Sequence, residues 1–184
     1  AEIEKKLLAW SPAVFFGYNS ISFDENLLRQ ALFQTLRRPY LTNTHGNGRA
    51  DALTMARACS VYAPNTLSIP IAANGRMVFK LDRLAPQNGF AHENAHDAMA
   101  DVEATIHVAK IIKTQAREVW AQMMTTSSKR GAANALASAS FINQTEFYAG
   151  LGHTWLVTKC GQDPTYDGRA ATFDLSADPE PYLE

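Results

Sequence analysis

The sequence is poor in the features that mark secreted, membrane-spanning or zinc-binding proteins. It has two cysteines, Cys59 and Cys160, far apart in the chain, which predicts buried free thiols in a reducing cytoplasm and leaves no zinc site. No apolar run approaches the roughly 18 residues that a membrane span requires. The N-terminus has no initiator Met and lacks the basic-then-apolar layout of a secretion signal. We therefore expect a cytoplasmic protein without a membrane span, and a chain that begins inside a longer protein.

Charge is nearly balanced overall but unevenly distributed. The formal net charge is −1. Between residues 27 and 60, however, a single acid, Asp51, stands against five arginines: Arg29, Arg37, Arg38, Arg49 and Arg57. Residues 174–184 contain four acids and no base. A basic stretch within a neutral protein is typical of a polyanion-binding surface, although charged residues are more often only solvated surface.

The apolar pattern predicts three parts: an α/β domain over residues 1–113, a helical connector or linker over 114–139, and a partial β domain over 140–184. In the first part we expect a buried strand over residues 13–17 and helices over 3–10, 24–38, 50–62 and 95–113. One helical turn fits residues 80–84. The small polar residues 126–140 are typical of a linker, and short β runs follow near residues 140, 154 and 171.

The helix predicted over residues 95–113 carries one apolar stripe. Its members recur at steps of four and three, and Asn94 can cap the helix. The stripe consists of Ala95, Met99, Val102, Ile106, Ala109 and Lys113.

Two stretches could carry chemistry. Residues 17–24 read Gly-Tyr-Asn-Ser-Ile-Ser-Phe-Asp, and residues 94–101 read Asn-Ala-His-Asp-Ala-Met-Ala-Asp. Phosphodiester cleavage by two metals requires clustered carboxylates, here Asp24 and Asp101, and a base for the attacking water. His96 suits that base because a histidine pKa lies near neutral pH.

Each of these residues also has a purely structural interpretation. Asp24 could be an N-cap, and His96 could be a surface residue in the first turn of its helix. Asp101 lies close to the apolar stripe, where an unpaired acid would be costly. Together, the two patterns are more specific than any of their parts.

Residues 17–113 resemble the exonuclease domain of the exonuclease I family, a branch of the DEDDh exonucleases. The resemblance rests on residues 17–24, Met-Ala-Arg-Ala-Cys at 55–59, Phe-Lys-Leu at 79–81 and Asn-Ala-His-Asp-Ala-Met-Ala-Asp-Val at 94–102. It continues into Thr154-Trp155 and Phe-Asp-Leu at 173–175, which look like early strands of the family's SH3-like domain.

The resemblance implies a fold and an activity. We expect an α/β, RNase H-like domain lacking its N-terminal strands, followed by part of an SH3-like β domain. The parent protein would be a 3′→5′ exonuclease that hydrolyses single-stranded DNA to mononucleotides with two Mg²⁺ ions, Mn²⁺ being an alternative. We expect it to be monomeric. Family members also bind the acidic tail of single-stranded DNA-binding protein, although no motif in this chain indicates that contact.

The resemblance also implies roles for individual residues. Asp24 and Asp101 would bind metal, Asp24 through water and Asp101 directly, and His96 would be the general base. Lys80 stands where the family usually has a substrate-binding Arg, so the charge is kept but the bidentate fork is lost. The other expected DNA contacts are Arg29, Tyr40, Arg57 and Asn94.

One departure from the family pattern concerns its first motif, an Asp-x-Glu on an N-terminal strand. Residues 1–11 contain Glu2 and Glu4 but no Asp. The same spacing at 101–103 falls inside a predicted helix, and at 178–180 it surrounds a proline. The isolated chain is therefore expected to be inactive. Two other functions stay open: a proofreading or RNA-trimming DEDDh exonuclease, and a catalytically dead domain that binds DNA or a partner.

Overall fold

α-Helices and two small sheets make up this mixed α/β protein, as the computed structural model shows for residues 2–90, 98–148, 151–166 and 168–183. The helices are α1 (Glu2–Trp10), α2 (Asp24–Gln34), α3 (Ala52–Tyr62), α4 (Leu81–Gln87), α5 (Ala98–Gln115), α6 (Arg117–Thr125) and α7 (Lys129–Ser138). The strands are β1 (Val14–Gly17), β2 (Gly48–Asp51), β3 (Ile142–Tyr148), β4 (Leu151–Gln162) and β5 (Ala170–Asp174). Within the described ranges no helix is long and apolar enough to cross a membrane.

The two sheets differ in their pairing. Strands β1 and β2 are parallel, with Val14 opposite Gly48 and Gly17 opposite Asp51, and α2 lies in the crossover between them. Strands β3, β4 and β5 form an antiparallel sheet in that order, which we call the C-terminal sheet. Parallel strands expose their carboxyl ends at one edge, so the segments after Gly17 and Asp51 leave the first sheet side by side.

The main core lies among α3, α4 and α5. It is built from fully buried side chains of these helices, including Met55, Cys59, Leu84, Val108 and Ile112. Burial raises the pKa of the Cys59 thiol to about 11, so this cysteine is a protonated core residue at neutral pH. Cys160 is exposed, and the prediction that both thiols are buried is therefore wrong for it.

Asp51 links the segments that follow the two strands of the parallel sheet. Its carboxylate accepts hydrogen bonds from the backbone N–H of Leu53 (2.9 Å), as the N-cap of α3, and from those of Asn19 (2.8 Å) and Ile21 (3.2 Å) in the loop after β1. The residue is 4% exposed. A buried carboxylate is stable here because backbone donors replace its water. The predicted helix start at Asp51 is thus confirmed as a cap.

The small polar segment 126–140 is not an irregular linker. Ser128 caps α7 by accepting a hydrogen bond from the N–H of Gly131 (3.1 Å), and a run of alanines then favours helix. Just before this helix, the carbonyl of Ser127 accepts a hydrogen bond from the N–H of Arg49 (2.8 Å). This part of the chain is therefore hydrogen-bonded to β2. Its composition suggested a linker, but small residues are common in helices as well as in linkers.

Two further predictions need correction. Ala50 and Asp51, predicted as the start of a helix, are the end of strand β2, which the sequence reasoning missed because four residues are too few to show an alternating pattern. On α5, the predicted apolar stripe is not the buried face: Met99, Val102 and Ile106 are 62%, 51% and 45% exposed. The buried face consists of Ala104, Thr105, Val108 and Ile112.

Replacing Asp51 with Ala should destabilise the fold strongly. The change removes an N-cap and leaves the N–H groups of Asn19 and Ile21 without their acceptor, for an expected loss of about 2–4 kcal/mol. Asp82→Ala, at an exposed acid in the first turn of α4, is the matched control and should change stability by less than about 0.5 kcal/mol. Urea denaturation of both variants measures the difference, and equal midpoints would contradict this assignment.

Candidate active site and nucleic-acid interface

A cavity of about 750 Å³ opens where the loop after β1 meets α3, α5 and the C-terminal sheet. Asp24 reaches it from the first turn of α2, and Asp101 from the first described turn of α5. The two acids are far apart in sequence. The structure therefore brings together the two carboxylates that the sequence reasoning had singled out separately.

Asp24 does not cap its helix. Phe23 occupies the N-cap position of α2, and no side chain makes a capping hydrogen bond there. The interpretation of Asp24 as a simple N-cap is therefore wrong. As the first residue of α2 it lies near the positive end of the helix dipole, and its exposed carboxylate lines the cavity.

Asp101 is exposed on α5 rather than set beside a buried stripe. Its backbone carbonyl accepts a hydrogen bond from the hydroxyl of Thr105 (2.8 Å), one turn further along the helix. From the sequence, an unpaired carboxylate beside a buried apolar stripe would be destabilising. That reason does not apply to Asp101, because the stripe is not buried. The position of Asp101 on the cavity wall is what supports a functional role.

Two of the predicted DNA-contacting cations line the same cavity. Lys80 is exposed at the N-cap of α4, and Arg57 projects from α3. The Arg57 guanidinium lies over two rings, 5.9 Å from the centroid of Phe79 and 5.7 Å from that of Phe147. A cavity lined by carboxylates, two cations and aromatic rings can hold a metal ion, a phosphate and a base side by side.

Tyr18 fixes the segment that carries Lys80. Its hydroxyl donates a hydrogen bond to the carbonyl of Phe79 (2.5 Å). Burial is the main cause that raises the pKa of Tyr18 above its usual range, so the phenol keeps its proton at neutral pH and remains a donor. Tyr18 belongs to the motif at 17–24, but sequence reasoning gave it no role because a phenol carries no metal-binding signal.

Arg29 and Tyr40 do not line this cavity. They lie together at a second place, where the Arg29 guanidinium is 5.4 Å from the centroid of the Tyr40 ring. Arg29 and Arg49 also approach the buried carboxylate of Glu25, at 3.6 and 3.7 Å, and the hydroxyl of Thr42 donates to it (2.6 Å). Arg29 Nε is buried without a hydrogen-bond partner among the described residues.

Two predicted site residues, His96 and Asn94, lie outside the described residues. In the part of the chain that is described, no group of three or more His, Cys, Asp or Glu side chains is arranged to hold a metal ion. Among the described residues, three carboxylates line the cavity: Asp24 and Asp101, which the sequence singled out, and Asp82 in the first turn of α4.

Besides Tyr18, sequence reasoning missed three contributors to the site. Phe79 was noticed only as part of a motif. Asp51 was recognised only as a helix start, yet it also holds the loop that leads to Asp24. Phe147, from the C-terminal sheet, lines the cavity, and the alternating pattern of β3 gave no sign of which face would meet α3.

Comparisons with known proteins agree with the resemblance seen in the sequence. No protein-family model matches the chain. The chain is 32% identical over 174 residues to exodeoxyribonuclease I of Escherichia coli (strain K12), an alignment covering 91% of this chain and 36% of that protein. Among solved structures, E. coli exonuclease I in complex with a dT13 oligonucleotide gives a TM-score of 0.78 at 29% identity, and an ExoI/SSB-Ct complex gives 0.79 at 27%.

Both structural matches cover 100% of this chain and 40% of the matched chain. The aligned part thus includes the elements around the cavity as well as the C-terminal sheet. In sequence and structure these 184 residues are therefore similar to exodeoxyribonuclease I, and they span little more than a third of that protein's length.

Proposed function

We propose that the chain is part of a metal-dependent 3′→5′ exonuclease that hydrolyses single-stranded DNA to mononucleotides. The observation that carries this proposal is the convergence of Asp24, Asp101, Arg57 and Lys80 on one cavity. The likeness to E. coli exonuclease I bound to a dT13 oligonucleotide supports single-stranded DNA as the substrate.

The proposal includes the finer division of the fold. Residues 1–113 would be an RNase H-like exonuclease domain, 114–139 a helical connector and 140–184 part of an SH3-like β domain. The parallel β1–β2 pair with helices around it and the separate antiparallel C-terminal sheet support this division.

The donor set fits Mg²⁺, or Mn²⁺ in its place. Carboxylate oxygens are the ligands that hard divalent cations prefer, and Asp24 and Asp101 would supply them from this chain. The chemistry that two bound ions contribute is stabilisation of charge on the attacking and leaving oxygens. His96 would accept the proton of the attacking water as general base.

Basic and aromatic side chains would hold the DNA strand without reading its sequence. Arg57 and Lys80 would contact phosphates, while the ring of Phe79 offers a stacking surface in the same cavity. Asn94 would add a contact beside His96. Arg29 and Tyr40, which lie together, would contact the strand away from the cavity.

Partners and location complete the proposal. The likeness to an ExoI/SSB-Ct complex supports binding of single-stranded DNA-binding protein, and we expect a cytoplasmic protein that is monomeric at full length. A catalytically dead DNA-binding domain is the second candidate, because the cations and rings of the cavity could bind DNA without cleaving it. The presence or absence of an Asp-x-Glu motif in the sequence encoded upstream of Ala1 discriminates between these two.

In the full-length exonuclease, Asp101→Asn and His96→Ala should each slow nucleotide release severely. Loss of a general base costs about 10²–10⁴-fold in rate, and loss of a carboxylate ligand should cost at least as much. Asp178→Asn and His153→Ala, at exposed positions away from the cavity, are the matched controls. Release of mononucleotides from single-stranded DNA with Mg²⁺ measures the rates, and wild-type rates in both site variants would refute the assignment.

Removing the charge of Arg57 should weaken binding to single-stranded DNA by a similar factor for every sequence. Each lost phosphate contact should flatten the dependence of log K on log salt by roughly 0.7. Arg57→Gln is preferred over a change at Arg29, because Arg29 neutralises the buried Glu25 and its loss would also unsettle the fold. With exposed Lys129→Gln as the control, an unchanged slope for Arg57→Gln would argue against a backbone contact.

The isolated 184-residue chain should release essentially no nucleotides. The family resemblance implies four carboxylates, of which this chain supplies Asp24 and Asp101. Two carboxylates leave Mg²⁺ mostly water-ligated, and Mg²⁺ gives up its water reluctantly. Incubation with 3′-labelled single-stranded DNA and Mg²⁺ tests this, with the Asp24→Asn/Asp101→Asn double variant as background. Mononucleotide release at a full-length rate would mean that the metal site has been misplaced.

A further inference from the structure

The C-terminal sheet packs against α3 beside the cavity. Arg57 and, one turn later on α3, Tyr62 contact strand β3, while Val61 lies against Gly152 of strand β4. The hydroxyls of Tyr62 and Thr145 are hydrogen-bonded to each other, and Arg57 packs against the ring of Phe147. The sheet is therefore fixed to α3 at the position from which Arg57 enters the cavity.

Gly152 allows strand β4 to pack closely against the Phe147 ring. A Cβ atom at Gly152 would lie 2.8 Å from Cγ2 of Val61 and 3.2 Å from Cε1 of Phe147, so only glycine lets the strand approach this closely. On its other side the Phe147 ring meets Phe79 edge-on, with centroids 6.3 Å apart and the ring planes at 74°. The ring thus has contacts on several sides and a defined orientation.

Arg57 lies over both of these rings, with its guanidinium 5.9 and 5.7 Å from their centroids. Its side chain is long and would otherwise sample many rotamers, so an ordered guanidinium carries an entropy cost that binding must meet. A cation over the face of an aromatic ring is stabilised by the ring quadrupole and by exclusion of water. Phe79 is in the segment before α4, whereas Phe147 is in the C-terminal sheet, so neither half of the chain completes this arrangement alone.

We propose that Phe147 is a positioning residue: through its ring, the C-terminal sheet holds the Arg57 guanidinium in the orientation that receives a DNA phosphate in the cavity. This inference rests on the proposed function, since it assumes that Arg57 contacts the strand. Phe147 contributes by ordering Arg57 before DNA arrives. The sheet is thereby part of the machinery that binds the strand at the site of cleavage.

A double-mutant cycle on DNA binding tests the inference. Phe147→Leu keeps an apolar side chain but removes the ring, and it should weaken binding of a labelled oligothymidylate roughly 3- to 10-fold, the range for ordering one long side chain. In an Arg57→Gln background the same change should have almost no effect, because nothing remains to be positioned. The single variant Phe147→Tyr keeps an aromatic ring and should bind DNA with wild-type affinity. Fluorescence anisotropy of the 184-residue chain measures all four variants.

Tyr148→Leu is the matched control. Tyr148 is the next residue on β3 and faces the opposite side of the sheet, where it is 74% exposed and contacts His153. The Tyr148→Leu change should leave the affinity for the oligothymidylate unchanged. If Phe147→Leu weakens binding equally with and without Arg57, Phe147 contacts the DNA directly and the positioning role is overturned. Failure of Phe147→Tyr to restore affinity would overturn it as well.

A second measurement separates this inference from the proposed function. If the wild-type chain binds no single-stranded DNA, the proposed function fails for this chain, and the free protein then decides the positioning claim by NMR. Ring currents should shift the Arg57 side-chain protons upfield in the wild type, and Phe147→Leu should reduce that shift and make the Nε–H group more mobile. Unchanged Arg57 signals in Phe147→Leu would overturn the claim independently of any DNA.

Discussion

The buried carboxylate of Asp51 is the interaction on which the arrangement of the site depends. A single side chain with 4% exposure ends β2, begins α3 and holds the loop after β1 through the N–H groups of Asn19 and Ile21. That loop leads directly to Asp24, and α3 carries Arg57. The positions of a proposed metal ligand and a proposed phosphate contact are therefore set by the same three hydrogen bonds.

The rest of the cavity is built outward from this point by contacts between distant parts of the chain. Tyr18, in the same loop, donates to the carbonyl of Phe79 and so fixes the segment that presents Lys80. Phe79 in turn meets Phe147 of the C-terminal sheet, and Arg57 lies over both rings. Each contact joins elements that are separated in sequence, so a cavity with both charged and aromatic walls forms only when the whole chain is folded.

Local sequence signals predicted the elements well and the packing poorly. Asp24 was singled out at a predicted helix start and Asp101 five residues after His96 in the second motif, and both line the same cavity. The buried face of α5 was assigned to the wrong side, since Val102 and Ile106 are as apolar as Val108 and Ile112 and periodicity alone does not show which side meets the core. Phe147 could not have been predicted at all, because its role arises from the contact between the C-terminal sheet and α3.

The central claim is that Asp24 and Asp101 share one metal-binding cavity, and paramagnetic broadening by Mn²⁺ tests it most directly. Titrating the ¹⁵N-labelled chain with Mn²⁺ should broaden the amide signals around Asp24 and Asp101 first, even if binding is weak. The Asp24→Asn/Asp101→Asn double variant should lose that broadening. Broadening centred instead on the acidic segment 174–183, or unchanged in the double variant, would contradict the account.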